Sequence, residues 1–138
     1  MPSVITSKET EGCLRARLVA EGFELSPERS HGQTGADVCA HRGDEQICIE
    51  VIGFKSSAPN RAKDFYESFF RAISRLDTGA TRCVIALPSR FGVGLPARAK
   101  QHGQAWARIG KAFPELEIWL VDKEAGTYSV SKWGEWLT

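Results

Sequence analysis

Residues 35–51, GADVCAHRGDEQICIEV, decide how the chain is read. Two runs of mostly apolar side chains flank Arg42-Gly43-Asp44-Glu45, so the stretch predicts strands over 36–41 and 46–54 joined by a tight turn. In the second strand Ile47, Ile49 and Val51 fall on one face, and Cys48, Glu50 and Ile52 on the other. A carboxylate on an otherwise apolar strand stands out, because burying a charge is costly unless it is paired. Asp37 lies near the start of the first strand and Glu50 near the end of the second. An antiparallel hairpin brings such positions side by side.

Upstream, Thr6-Ser7-Lys8-Glu9 has capping-box spacing and Gly22 suits a helix stop. Leu14, Leu18 and Val19 form an apolar stripe between them, which predicts a helix over 7–21. A short strand at 23–25 follows, then a polar loop over 26–35 whose His31 is read as solvent-facing. Downstream, a loop over 55–59 leads into a helix with Asn60 near its start. Its buried stripe is Phe65, Phe69, Ala72, Ile73 and Leu76, and Asp77-Thr78-Gly79 ends it. The apolar run 83–88 predicts a strand of parallel-sheet type. After a loop over 89–95, Pro96 suits the first turn of another helix, whose inward face carries Ala99, His102, Trp106 and Ile109. Leu116–Asp122 is a further strand and 128–130 an edge strand. The tail holds Trp133 and Trp136, read as exposed and as a dimer contact or a C-terminal clasp, while Trp106, Trp119, Phe65 and Phe69 are assigned to the core. The order α-β-β-β-α-β-α-β predicts an α/β fold with a central mixed sheet: an antiparallel hairpin first, then right-handed parallel crossovers. With no repeat or linker, the 138 residues are read as one domain.

A content of 42% hydrophobic and 25% charged residues is that of an ordinary globular protein. No apolar run reaches the length of about 18 residues that a membrane helix needs. The polar opening MPSVITSKETEG has no apolar leader segment, which points to the cytoplasm. Cys13, Cys39, Cys48 and Cys83 show neither CxxC spacing nor a histidine at zinc-finger distance, so they are read as reduced, structural thiols. The net charge of +1 is unevenly spread: residues 1–50 hold nine acidic against five basic side chains, whereas residues 89–111 hold Arg90, Arg98, Lys100, Arg108 and Lys111 and no acid. Such a local excess either draws in a polyanion or is a solvated helix face. Residues 89–94 lie between a strand and a helix but match neither glycine-rich phosphate pattern. They can still offer backbone amides and Arg90 to a phosphate.

Two carboxylates held together repel each other, so one is protonated or a cation neutralises both. Two hard oxygen ligands with open water positions suit magnesium, which can orient a water and polarise a phosphodiester. The plainer alternatives are that Asp37 bonds the local backbone as a strand-start residue, and that Glu50 pairs with Lys55 or an arginine as a partly exposed ion pair.

Gly35-Ala36-Asp37-Val38-Cys39-Ala40, followed by Gln46-Ile47-Cys48-Ile49-Glu50-Val51, resembles the core motif of the PD-(D/E)xK (restriction endonuclease-like) nucleases. The likeness is greatest to archaeal Holliday junction resolvases and related endonucleases. Glu11, Leu14, Leu18 and Gly22-Phe23 match the first helix of that motif, and the likeness covers about residues 7–88, with 95–138 as an additional helix and strands. It implies a three-layer restriction-endonuclease-like fold and a magnesium or manganese ion on Asp37 and Glu50, with Glu11 in support. It further implies hydrolysis of phosphodiester bonds, most readily in DNA, and homodimer formation. A lysine two residues after the glutamate is also implied, to position the attacking water and stabilise charge at the phosphate. Ile52 stands there instead, and loss of such a group typically costs about 10²–10⁴ in rate. Lys55 is the nearest substitute, on the opposite face unless a bulge at Gly53 re-aims it. Lys63 or Arg71 on the following helix is a second route. Two expectations result. One is a metal-dependent nuclease using Asp37, Glu50, Glu11 and Lys55 or Lys63, with Arg90, Arg98 and Lys100 on the nucleic-acid backbone. The other is a catalytically inactive nuclease-fold protein that binds nucleic acid or a protein partner.

Overall fold

The computed structural model describes residues 4–28 and 36–137, so Gly35 and His31 lie outside the described residues. Three helices, α1 (Ser7–Ala20), α2 (Ala58–Ser74) and α3 (Leu95–Ala112), pack on six strands: β1 (Glu24–Leu25), β2 (Val38–Arg42), β3 (Glu45–Val51), β4 (Arg82–Pro88), β5 (Leu116–Asp122) and β6 (Thr127–Lys132). The strands form one open sheet in chain order. β1, β2 and β3 pair antiparallel, β3–β4 and β4–β5 parallel, and β5–β6 antiparallel. The expected hairpin followed by parallel crossovers is therefore the arrangement found. No helix among the described residues is long and apolar enough to cross a membrane.

Alternation along each strand divides the core between the two faces of the sheet. Val38, Ala40, Ile47, Ile49 and Val51 pack with Leu14 and Leu18 of α1. Cys48, Cys83, Ile85 and Leu87 pack on the other face with Phe65 and Ala72 of α2 and Leu95, Ala99 and Trp106 of α3. Most of β4 is buried on both faces, which is why it reads as an unbroken apolar run.

Several local expectations are corrected. The Thr6 hydroxyl accepts the Glu9 N–H at 3.0 Å, but the Glu9 carboxylate reaches Lys123 at 3.0 Å rather than returning to the helix cap. Val19 lies outside the stripe and is exposed. Asn60 lies in the first turn of α2 as expected, but the helix starts at Ala58, so the loop ends before the expected 59, because the Ser57 hydroxyl accepts the Asn60 N–H and Pro59 fits the first turn. β3 ends at Val51 rather than Phe54, and Phe54 instead bridges Ile5 in the segment before α1. Gly53 permits that crossing: a Cβ there would collide with the Ile5 carbonyl oxygen and lie 2.7 Å from the Ser7 nitrogen. His102 is exposed rather than inward. α3 is broken at Gly103 (φ 42°, ψ −104°), so a stripe drawn through 99, 102 and 106 as one straight helix fails, and His102 Nε2 instead meets the Tyr66 hydroxyl at 2.6 Å. Trp133 is buried, not exposed. Its ring stacks on Trp106 at 3.9 Å, and each indole N–H donates to the other's carbonyl, so the tail acts as a clasp on α3.

Besides Glu50, a second carboxylate is buried, that of Glu117 on β5. Its side chain is 3% exposed and receives Arg82 of β4 through two bonds of 2.8 and 2.7 Å. Trp119 Nε1 donates to it at 2.9 Å, Lys132 of β6 lies 3.4 Å away, and Arg82 continues to Glu45 of β3 at 3.0 Å. Four neighbouring strands are thus tied together by one polar strap. Burial raises the Glu117 pKa, but Arg82, Trp119 and Lys132 together outweigh it and hold the carboxyl below its ordinary 4.5.

Gly53→Ala should destabilise by about 1–3 kcal/mol or more, since backbone rather than a flexible side chain occupies the space. A denaturation midpoint equal to wild type would refute that close approach. Glu117→Gln should cost about 3–5 kcal/mol at neutral pH, as expected for breaking a buried pair. Because the native pKa is depressed, this stabilisation is complete above pH 4.5 and fades as pH falls below it. The gap in Tm between wild type and variant should therefore narrow in acid, and a gap independent of pH would contradict the assignment.

Candidate functional site

The register of the hairpin positions the acidic pair. Val38 faces Ile49 and Cys39 faces Cys48, so Asp37 and Glu50 each follow directly on the last paired residues of the two strands, at the same end of the hairpin. Asp37 stands one residue before β2 begins, where β3 has lost its neighbour, and its Oδ2 accepts the Val51 N–H at 2.9 Å. It closes the ladder that β2 leaves open, the local backbone role open to a strand-start residue. Glu50 points beneath α2. Its side chain is 3% exposed and its Oε2 lies 3.4 Å from Arg75 Nε, in the 3₁₀ turn Arg75–Thr78 that follows α2. Of the two ion-pair partners expected for Glu50, an arginine is the one found, with the carboxylate buried and Arg75 partly exposed.

Glu11 is linked to Asp37 indirectly. It accepts Arg15 Nε at 2.7 Å, and Arg15 donates onward to the carbonyls of Ser26 and Asp37 at 2.6 and 2.9 Å. Glu11 thereby orients the guanidinium that holds the approach to β2. Lys55 pairs with Asp64 at 3.0 Å and is 56% exposed, and Lys63 is 71% exposed and 3.9 Å from Glu67. Arg71 also turns to Glu67, at 3.6 Å. The cation beside Glu50 is Arg75, to which Phe65, Ser68 and Ala72 lead at helical spacing along the buried side of α2. A charged residue in line with a buried stripe is the signal available in the sequence.

A divalent ion on this pair meets one obstacle, at Glu50. Magnesium keeps several waters and needs room for them, whereas Glu50 is closed off and faces Arg75. Among the described residues no group of three or more His, Cys, Asp or Glu side chains could hold a metal. As arranged, Glu50 faces Arg75 rather than an open hydration site.

The basic residues gather beyond the carboxyl ends of β3 and β4. The guanidinium groups of Arg61 and Arg90 lie 4.6 and 4.7 Å from the ring centre of Phe54. Arg61 also donates to the carbonyls of Lys55 and Ser56 at 2.8 and 3.0 Å. Arg98 lies 5.4 Å from the Tyr66 ring and donates to its hydroxyl at 3.0 Å, while Lys100 is exposed on α3. Open ends of parallel strands are where α/β folds usually bind ligands. On the α2 side of the sheet, Cys39 Sγ and Cys48 Sγ touch at 3.6 Å. The bond to Cys48 holds the Cys39 thiol down at about 6 against the effect of burial, with smaller help from His41, Arg75 and Arg15, and the same bond pushes Cys48 up.

Arg75→Ala, which strands a buried carboxylate, should cost about 3–5 kcal/mol, and Arg75→Met with Glu50→Gln should cost less than the sum of the single changes. Urea denaturation measures both, and strict additivity would show that the pair is not coupled. Comparison of the chain with family models, with curated proteins and with solved structures finds no match.

Proposed function

We propose that this chain is a nuclease-fold protein, of the restriction endonuclease-like kind, that holds the phosphate backbone of nucleic acid without cutting it. DNA is the polymer that the motif resemblance implies. The observation that carries the binding reading is the convergence of Arg61 and Arg90 on Phe54 at the carboxyl ends of β3 and β4. The ring fixes two guanidinium groups that would otherwise lose freedom on meeting a phosphate, and Arg forms bidentate contacts with phosphate oxygens. Lys55 beside them, and Arg98 and Lys100 on α3, extend the basic edge. Such contacts position a backbone without reading its sequence.

Two features of the core support the reading without cutting. Ile52 stands where the motif has lysine, and Arg75 neutralises Glu50 where a hydrated cation would be needed. One observation favours the competing hydrolytic reading, with magnesium or manganese on Asp37 and Glu50, support from Glu11 and a stand-in cation from Lys55 or Lys63. It is the hairpin register, which leaves Asp37 and Glu50 at the same end of the β2–β3 pair.

Fluorescence anisotropy with labelled duplex, single-stranded and branched DNA, across a salt series, tests the binding. Affinity should fall steeply with salt. Arg61→Ala with Arg90→Ala should weaken binding and flatten the duplex slope by about 0.9 for each phosphate that is no longer neutralised. Unchanged affinity in that double variant, with folding verified by circular dichroism, would remove the basis of the proposal. Incubation with magnesium or manganese should leave all three DNAs intact. Cutting that disappears in both Asp37→Ala and Glu50→Ala would establish the hydrolytic reading instead.

A further inference from the structure

We propose that Cys39 and Cys48 are a redox pair that closes reversibly into a cross-strand disulfide by exchange with a low-molecular-weight disulfide. The proposal stands apart from nucleic-acid binding and requires no metal.

The two residues are direct partners in the β2–β3 register, and their sulfurs are 3.6 Å apart. Residues opposite each other on antiparallel strands have Cα atoms about 4.5–5.5 Å apart, within the span of about 4.4–6.8 Å that a disulfide bridges. Closure thus needs side-chain rotation and no change of register.

Exposure sets the order of events. Cys39 is partly exposed, near the edge of the sheet where only the two-residue β1 covers β2, while Cys48 is buried. The Cys39 thiolate attacks one sulfur of the small disulfide, forming a mixed disulfide and expelling one thiolate, which takes up a proton. Cys48 then loses its proton to solvent, and its sulfur attacks the Cys39 sulfur, expelling the second thiolate, which is protonated in turn. Two protein thiols are oxidised to one disulfide and the small disulfide is reduced to two thiols, with no other reactant. Excess small thiol reverses both steps.

The other two cysteines serve as internal controls. Cys83 is the β4 neighbour of Cys48 in register but is buried, and Cys13 lies on α1 against the opposite face, its sulfur 3.8 Å from the Asp122 carbonyl. The bond would pin the hairpin two residues along the chain from Asp37 and two from Glu50.

The test uses the full chain, fully reduced and then incubated with oxidised glutathione, alkylated in denaturant and mapped by peptide mass. Trypsin cuts after Arg42 and so places Cys39 and Cys48 on separate peptides. The expected result is those two peptides joined, Cys13 and Cys83 alkylated, and recovery of all four thiols with excess reduced glutathione. In Cys48→Ala, Cys39 should instead retain glutathione. Should that variant fail to fold, the wild-type map decides alone. Alkylation of both Cys39 and Cys48 after oxidation, a glutathione adduct that persists on wild-type Cys39, or a link to Cys13 or Cys83 would each overturn the proposal.

Discussion

A carboxylate carried on a strand between two apolar layers must be neutralised from within, and in this fold that task falls to Arg75 facing Glu50. β3 lies third in a six-stranded sheet, so its side chains point into packed protein on both faces rather than into water. A charge there meets a low dielectric, where an isolated ion is far costlier than at the surface. Because Arg75 follows the last turn of α2, the end of that helix is held against the strand it must cross, and the helix brings Phe65 and Ala72 onto the same layer. The pairing therefore links the placement of a helix to the chemistry open to the motif glutamate.

The same solution recurs between β4 and β5. Arg82 and Glu117 meet in a fork of two hydrogen bonds, extended by Glu45 and Lys132 from the flanking strands. The two buried glutamates lie on opposite faces of the sheet, Glu50 beneath α2 and Glu117 beside Trp119 on the α1 side. Both ion pairs sit where the strands are otherwise apolar, so each constrains which elements can lie together as well as contributing energy. α1 is anchored similarly, by Arg15 reaching the Ser26 and Asp37 carbonyls.

Closing Glu50 inside the fold moves the accessible chemistry to the rim. The basic groups beside Phe54 lie past the carboxyl ends of the parallel strands, and the exchangeable thiol pair lies on the hairpin, toward the β1 edge of the sheet. The proposed binding and redox sites thus occupy separate elements. The core carboxylates maintain the frame that presents both.

The sequence by itself determined the order of elements, the hairpin, the parallel run, and the division of β3 into an Ile47-Ile49-Val51 face and a Cys48-Glu50-Ile52 face. These follow from local periodicity and turn chemistry, which depend on near neighbours. It also marked Asp37 and Glu50 as unusual, because a charge in an apolar strand is visible without a structure. What only the tertiary structure decided was each carboxylate's partner. Arg75 is separated from Glu50 by a whole helix, Arg82 from Glu117 by another, and Cys39 from Cys48 by a turn whose register must be known. The break at Gly103 and the burial of Trp133 were hidden for the same reason: a helical stripe is drawn assuming a straight axis, and whether an aromatic ring is covered depends on segments far away in the chain.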